Sequence, residues 1–311
     1  MDKLKILVTG GAGFIGSNIA DEYIKKGYDV TVIDDLSTGK FENLNEDAKF
    51  YKISLESPDL EKIFIKEKFD IINHHAAQID VRHSVKNPVF DAKINVLGSL
   101  NLLTLAHKYN IKKIIYASTG GAIYGEPEYL PCDEKHPVRP LCPYGISKHT
   151  FEHYLEYYYD LYKLDYTVLR YANVYGPRQD PLGEAGVVAI FTNIILKDKE
   201  PIIYGDGLQT RDFVYIKDVV NANILSIEKG NNDIFNISTG IETSVNRIFQ
   251  YIVNSADKNL KAVYEPKREG EVYKICLNNA KAKKILGWEP KYTVEEGIKE
   301  TVEYYKSGDR I

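Results

Sequence analysis

TGGAGFIG, Thr9 to Gly16, follows the apolar run KILVT over residues 5–9. It leads into a stretch over 14–26 in which apolar residues recur at helical spacing until Gly27. Strand, glycine turn and helix in that order form the context in which a glycine pattern carries meaning. Gly10, Gly13 and Gly16 give GxxGxxG. Without a β-carbon the chain can turn sharply, approach a pyrophosphate closely and pack the helix on the sheet, and the helix N-terminus faces the phosphate charge. Gly10, Gly13, Phe14, Ile15 and Gly16 are therefore expected in a dinucleotide site.

The next β-rich run, DVTVID over 29–34, ends on Asp34, 18 residues beyond Gly16. A carboxylate there accepts hydrogen bonds from both adenosine ribose hydroxyls and repels a 2′-phosphate. No arginine follows within the next few residues, so NAD is expected rather than NADP. Asp35, Leu36 and Ser37 continue the cofactor segment, with Asp35 the bystander of the two acids.

Farther out, strand-like runs over 50–53, 70–74, 112–118 and 166–171 alternate with helical stretches over 58–66, 88–109 and 144–162. Near-continuous apolar strands between helices mean a parallel sheet covered on both faces, an α/β, Rossmann-type doubly wound fold. After Tyr171 the punctuation changes, with glycine or proline at 176, 177, 181, 183, 186, 201, 205 and 207. A smaller, mixed C-terminal substrate domain is expected over 174–311, against a cofactor domain over 1–173. Residues of about 213–240 should return to the large sheet, because 217–229 is helical in pattern and 234–238 reads as a strand.

The 311 residues are 44% hydrophobic and 27% charged, with a formal net charge of −4, the balance of a globular chain with a large core. An acidic balance argues against nucleic acid or a membrane surface as the main partner. Cys132, Cys142 and Cys276 are scattered, without a CxxC or a histidine at zinc-ligand spacing, so no metal and reduced, cytoplasmic thiols are expected. No uninterrupted apolar run approaches the ~18 residues of a membrane span. The apolar residues 6–8 lead straight into the glycine turn rather than to a cleavage site.

Tyr144 and Lys148 form YxxxK in the 144–162 helix, where i and i+4 share a face. An ammonium near a phenol favours the phenolate, so Tyr144 is a candidate general base and Lys148 its partner. In isolation the pair would read as a surface contact; with the glycine motif upstream it reads as a catalytic pair.

These stretches together resemble the extended short-chain dehydrogenase/reductase family and, within it, the UDP-glucose 4-epimerases. The resemblance also rests on HHAA (74–77), Asn95, STGGAIYG (118–125), LRYANVYGPRQ (169–179), IYGDGLQTRDFVYIKDV (203–219), KREGE (267–271) and LGWEP (286–290). It implies that Ser54 and Leu55 flank the adenine. Ala76, Ala77 and Gln78 would line the pyrophosphate and ribose, Asn95 would support the nicotinamide side, and Ser118 and Tyr171 would border the cofactor. Asn173, Arg211 and Arg268 would hold the nucleotide diphosphate and Glu271 the uridine ribose. Val187, Val188, Ile203 and Tyr204 would surround the uracil, with Val245 in the same substrate set. Ile275, four residues after Glu271, would border the sugar C2 substituent.

Three departures from the family pattern matter. Ser54 stands where many relatives have aspartate. Relatives place a serine or threonine four residues before the Tyr124-Gly125 pair; here that position is Gly120. Thr119 is expected to supply the hydroxyl through a one-residue bulge, with Ser118 as the alternative. Sugar 4,6-dehydratases carry Asp-Glu after that hydroxyl, whereas here the residues are Gly120 and Gly121, which supply no acid and base for elimination. The implied activity is epimerisation at C4 of a UDP-hexose through a 4-keto intermediate. Rivals with the same chemistry are a UDP-glucuronate 4-epimerase or decarboxylase and a UDP-N-acetylhexosamine 4-epimerase. A rival of another class is a non-catalytic NAD-sensing module, which the presence of both Tyr144 and Lys148 disfavours. Leu97, Leu100, Leu103, Tyr154, Tyr158 and Tyr162 on the two long helices are expected to pair with a second copy in a four-helix bundle, giving a homodimer.

Overall fold

Alternating side chains of each central strand feed two separate cores, and this sets the layering of the computed structural model, which describes residues 3–182, 186–267 and 272–308. The first six strands are β1 (Lys5–Thr9), β2 (Asp29–Asp34), β3 (Lys49–Lys52), β4 (Ile71–His74), β5 (Lys113–Thr119) and β6 (Asp165–Tyr171). Then come β7 (Asn173–Tyr175), β8 (Ile202–Tyr204), β9 (Thr210–Tyr215), β10 (Asp233–Ile237), β11 (Glu242–Ser244) and β12 (Val263–Glu265). Ile6 and Val8 of β1 point into one core, under the Phe14–Lys25 and Ile216–Leu225 helices. Leu7 points into the other, with Leu102 and Leu103 of the Pro88–Lys108 helix and Phe151 and Leu155 of the Pro143–Tyr162 helix.

Seven strands form one parallel sheet in the order β10-β6-β5-β4-β1-β2-β3. The chain winds one way from β1 to β3 and the other way from β4 onward. The crevice beyond the C-terminal ends of β1 and β4 is therefore the switch point at which such sheets bind ligands. The 234–238 run supplies β10, in register with β6 from Asp233↔Thr167 to Ile237↔Tyr171. A three-stranded sheet, β11-β9-β7, and a two-stranded one, β12-β8, complete the strands. The Val187–Leu196, Val245–Ala256 and Val294–Lys306 helices pack against one another beside them.

The 88–109 stretch forms a 21-residue helix, Pro88–Lys108, whose middle, Lys93–Gly98, is a π-helical turn. By length and composition this helix could cross a membrane, but Leu102, Leu103, Leu105 and Ala106 pack into the sheet's core, and Asp91 and Asn95 are buried with it. Leu103 is fully buried, which removes it from the surface expected to meet a second copy.

Candidate active site

The glycine turn is built around a close approach. Gly10 has φ +68°, and a β-carbon there would lie 2.6 Å from Ala76 N, so only glycine lets the loop after β4 lie against the turn after β1. Thr9 Oγ1 accepts from the N–H groups of His75 and Ala76, both at 3.2 Å, and pairs with His74 Nδ1 at 2.7 Å. At the end of β2, Asp34 accepts from Ala12 N at 3.0 Å and Leu36 N at 2.8 Å. Burial pushes its carboxyl up, and those two N–H groups oppose the shift. Asp35 is exposed and accepts from Ser37 N, at 2.8 Å. A glycine cradle, the N-terminus of the Phe14–Lys25 helix and a fixed carboxylate one strand farther along the crevice fit the pyrophosphate and ribose of NAD.

Asn95 sits in the π-helical turn and is buried. Its Nδ2 donates to Gln78 O at 2.8 Å, Asp91 Oδ1 at 3.1 Å and Ser147 Oγ at 3.2 Å, and its Oδ1 accepts from Gln78 N at 2.8 Å. Its amide is committed to protein partners, so its support of the site acts through the 76–78 loop, which it clasps to both long helices. A π turn re-aims one residue out of the ordinary helical ladder, as at many functional sites. Gln78 Nε2 adds a bond to Asp91 Oδ1 at 2.9 Å. After β3, Leu55 is packed in the second core, and Ser54 Oγ accepts from Glu56 N at 3.3 Å.

Tyr144 lies in the first turn of the Pro143–Tyr162 helix, which opens with proline at its first position and has no capping side chain. Burial pushes the Tyr144 phenol up, Cys142 and Asp91 add to the rise, and the nearby Thr119 hydroxyl opposes it. Lys148 is buried one turn on, and its Nζ donates to Ala117 O at 3.0 Å and stands 4.9 Å from the centre of the Tyr116 ring. Burial pushes Lys148 down to about 8, against the pull of Asp91 and Glu152. The lysine's charge is thus directed at the Ala117 carbonyl and not at the phenol, contrary to the pairing expected from YxxxK.

Thr119 reaches Tyr144 without a bulge. It is the last residue of β5, in register with Tyr171 of β6, and its Oγ1 accepts from Ala122 N at 3.2 Å. The reason lies far along the chain: a β-carbon on Gly120 would overlap Leu277 Cδ1 and lie 3.2 Å from Tyr171 O. Ser118 points elsewhere, donating to Glu152 Oε1 at 2.6 Å. Glu152 also accepts from Arg170 Nε at 3.0 Å and Nη2 at 2.6 Å, a buried fork beneath the site that the sequence offered no pattern to find.

A dinucleotide cradle and a half-buried tyrosine–threonine pair at the C-terminal ends of one parallel sheet can be set beside known proteins. The NAD dependent epimerase/dehydratase family matches residues 6–238. The chain belongs to that family. A UDP-glucose 4-epimerase of Mycolicibacterium smegmatis is 41% identical over 98% of this chain and 99% of its own. The solved UDP-glucose 4-epimerase of Thermotoga maritima with UDP-glucose superposes with a TM-score of 0.97 at 52% identity, covering 99% of this chain and 100% of that one. That of Thermus thermophilus in complex with NAD gives 0.93 at 41% identity, over 97% and 99%. NAD is the cofactor of this epimerase/dehydratase family chain.

On the substrate side of this family member, Asn173 begins β7 with its Oδ1 3.7 Å from the β-carbon position of Gly121, beside the Thr119 hydroxyl. Arg211 of β9 donates from Nη1 to Thr210 O at 2.8 Å. Val187, Tyr204 and Val245 are half-buried. Val188, Ile203 and Ile275 are 0%, 1% and 2% exposed inside the main core, so none of the three presents an open pocket face. Apolar residues at the start of a helix or in a short strand serve core and pocket equally, and here packing claims them. Arg268 and Glu271 lie outside the described residues. A residue that the motifs left unassigned, Asp212, holds this side together. It accepts from Thr239 N and Oγ1, Gly240 N and Leu277 N, between 2.7 and 3.3 Å, tying the 275–277 segment to β9.

Proposed function

We propose that this chain is a NAD-dependent 4-epimerase acting on UDP-glucose and UDP-galactose. One observation carries the reading: the Tyr144 phenol stands near enough to the Thr119 hydroxyl, at the C-terminal end of β5, for that hydroxyl to oppose the rise in its pKa, and glycines occupy 120 and 121, where elimination of water would need an acid and a base.

When bound, NAD supplies the acceptor and then the donor for the hydrogen at C4. The chain does the rest. Tyr144 removes the proton from the sugar 4-hydroxyl and returns it to the same oxygen after the 4-keto sugar has turned its other face. Thr119 polarises that oxygen. The phenol is held neutral by burial, so ionisation needs nearby positive charge; Lys148 provides it by turning its ammonium from the Ala117 carbonyl toward the phenol, an i to i+4 step along one helix. Asp34 holds the adenosine ribose. Asn173, Arg211 and Arg268 hold the diphosphate, since arginine forks suit phosphate oxygens, and Glu271 holds the uridine ribose. Val187, Tyr204 and Val245 border the uracil.

A second copy completes the assembly. Leu97, Tyr157 and Leu161 are 60%, 55% and 53% exposed, with Ile146 and Tyr154 in the same stripe of the two long helices, an apolar face suited to a twofold four-helix bundle.

The test is a panel of UDP-sugars incubated with enzyme and NAD and resolved by chromatography. UDP-glucose and UDP-galactose should interconvert from either side with no net NADH. Conversion confined to UDP-glucuronate or UDP-N-acetylglucosamine would move the assignment to those substrates, and net NADH or a 6-deoxy product would overturn epimerisation.

A further inference from the structure

Asp91, on the Pro88–Lys108 helix, is 1% exposed. Its Oδ1 accepts from two neutral amides, Gln78 Nε2 at 2.9 Å and Asn95 Nδ2 at 3.1 Å. Its Oδ2 is buried with no hydrogen-bond partner. Among the described residues no cationic side chain forms an ion pair with it. Burying a carboxylate without a paired cation is expensive, and such groups gather where a charge has a task. The contacts place that task. Asn95 Nδ2 also donates to Ser147 Oγ at 3.2 Å, and Ser147 Oγ donates to Tyr144 O at 3.0 Å. The carboxylate is thus one amide away from the helical turn that holds Tyr144 and Lys148. Glu152, the other buried acid nearby, is neutralised by the Arg170 fork.

We propose, on the reading of Tyr144 as the base, that Asp91 is a positioning residue: the fixed counter-charge that keeps Lys148 an ammonium and so keeps positive charge available to the phenol. Burial acts against the charge on Lys148, and the attraction of Asp91, ahead of that of Glu152, opposes it. With Asp91 in place Lys148 stays at about 8 and is mostly charged at neutral pH. Without it the midpoint falls into the neutral range. The same carboxylate, after burial and Cys142, pushes the Tyr144 phenol up. The other groups around the pair bring no competing charge. Burial pushes His74 and His75 down, His75 to about 3, and pushes the Tyr116 phenol and the Cys142 thiol up, so all four stay neutral.

The experiment titrates the full chain, free of substrate, with lysine isotope-labelled at the ε-carbon and read by NMR; Lys148→Met assigns the signal. Asp91→Asn keeps the shape and lets Oδ1 retain both amide bonds while removing the charge. It should lower the Lys148 midpoint by roughly one unit, the size of effect expected of a nearby opposite charge. Lys113, also pushed down to about 8 by burial but at the other end of β5, should not move. Gln78→Met breaks one bond to the same carboxylate and keeps the charge, so Lys148 should titrate as in wild type. If the amide is not accommodated, Asp91→Ser gives the same comparison. On UDP-glucose both limbs of the kcat–pH profile of Asp91→Asn should move to lower pH, because phenol and ammonium each lose their proton more easily. An unmoved Lys148 midpoint in folded Asp91→Asn would overturn the proposal, and so would a profile that loses height with its limbs in place. A chain inactive on every UDP-sugar would sink the assigned activity instead, and the Lys148 titration would still decide the role of Asp91.

Discussion

Gly120 and Leu277 share one space: a β-carbon at 120 would overlap the Cδ1 atom of a residue 157 positions later in the chain. Position 120 is where the resemblance places the catalytic hydroxyl, and Leu277 bars a side chain from it. We therefore propose Thr119 for the hydroxyl role. Gly120→Ser should therefore lose about 1–3 kcal/mol to overpacking. Placed in a Leu277→Ala background, the same change should cost far less. A double-mutant cycle by urea unfolding measures the coupling, and additive effects would show that the two positions do not compete.

Tyr144→Phe should lower kcat by roughly 10²–10⁴, the usual worth of a general base, and leave NAD bound. Thr119→Val should also fall mainly in kcat. Ser118→Ala should act on stability instead, because its hydroxyl serves the Glu152–Arg170 fork. If Ser118→Ala lost more turnover than Thr119→Val, the roles given to the two hydroxyls would be reversed.

Lys148 provides a pH signature. Burial sets its pKa at about 8 against an ordinary 10.5, so the folded chain gives up this proton first as pH rises. Between those values the unfolded chain binds more protons, and the stability contributed by this group rises with pH. Lys113 shifts the same way, so the comparison must be with a Lys148 variant. Lys148→Met should be more stable than wild type by a margin that is largest below pH 8 and shrinks toward pH 10. Urea unfolding at pH 7, 8.5 and 9.5 tests this, and a constant margin would refute it.

Asp34→Ala should weaken NAD and relax the discrimination against NADP, since the carboxylate that accepts from the ribose diol is also what repels a 2′-phosphate. Titration of both cofactors into stripped protein gives the ratio. An unchanged preference would assign the choice to another residue.

Leu97→Glu with Tyr157→Glu should yield a folded monomer, because charges on that stripe cannot be buried unpaired. Sedimentation at micromolar concentration should find wild type as a dimer. A wild-type monomer would remove the four-helix bundle.

The large sheet was legible because its strands are short apolar runs bounded by glycine, proline or charge, and their ends moved by one residue at most. KILVT and DVTVID became β1 and β2 without change. The π-helical turn was not legible: a change of one residue in the hydrogen-bond ladder leaves the 88–109 stretch apolar at nearly the same spacing. The bonds by which Asn95 clasps Gln78 and Ser147 were hidden with it. Thr119 was expected to need a bulge that the structure does not show, since the side chain that excludes one from position 120, Leu277, is remote in sequence. The burial of Val188, Ile203 and Ile275 was not legible either, because apolar character alone does not separate a wall that faces a ligand from one that faces the core.

The position of β10 has a consequence for how the protein is made. By Lys148 the ribosome has delivered both members of the YxxxK pair, and by Tyr171 six of the seven sheet strands, yet β6 has an open side until Asp233–Ile237 emerges to pair with it. Throughout that interval the nascent chain carries an unpaired edge of buried-type residues, the kind of surface that templates association with other chains. A chain released at 173 would keep that edge permanently. The catalytic end of the molecule is thus written early and finished late.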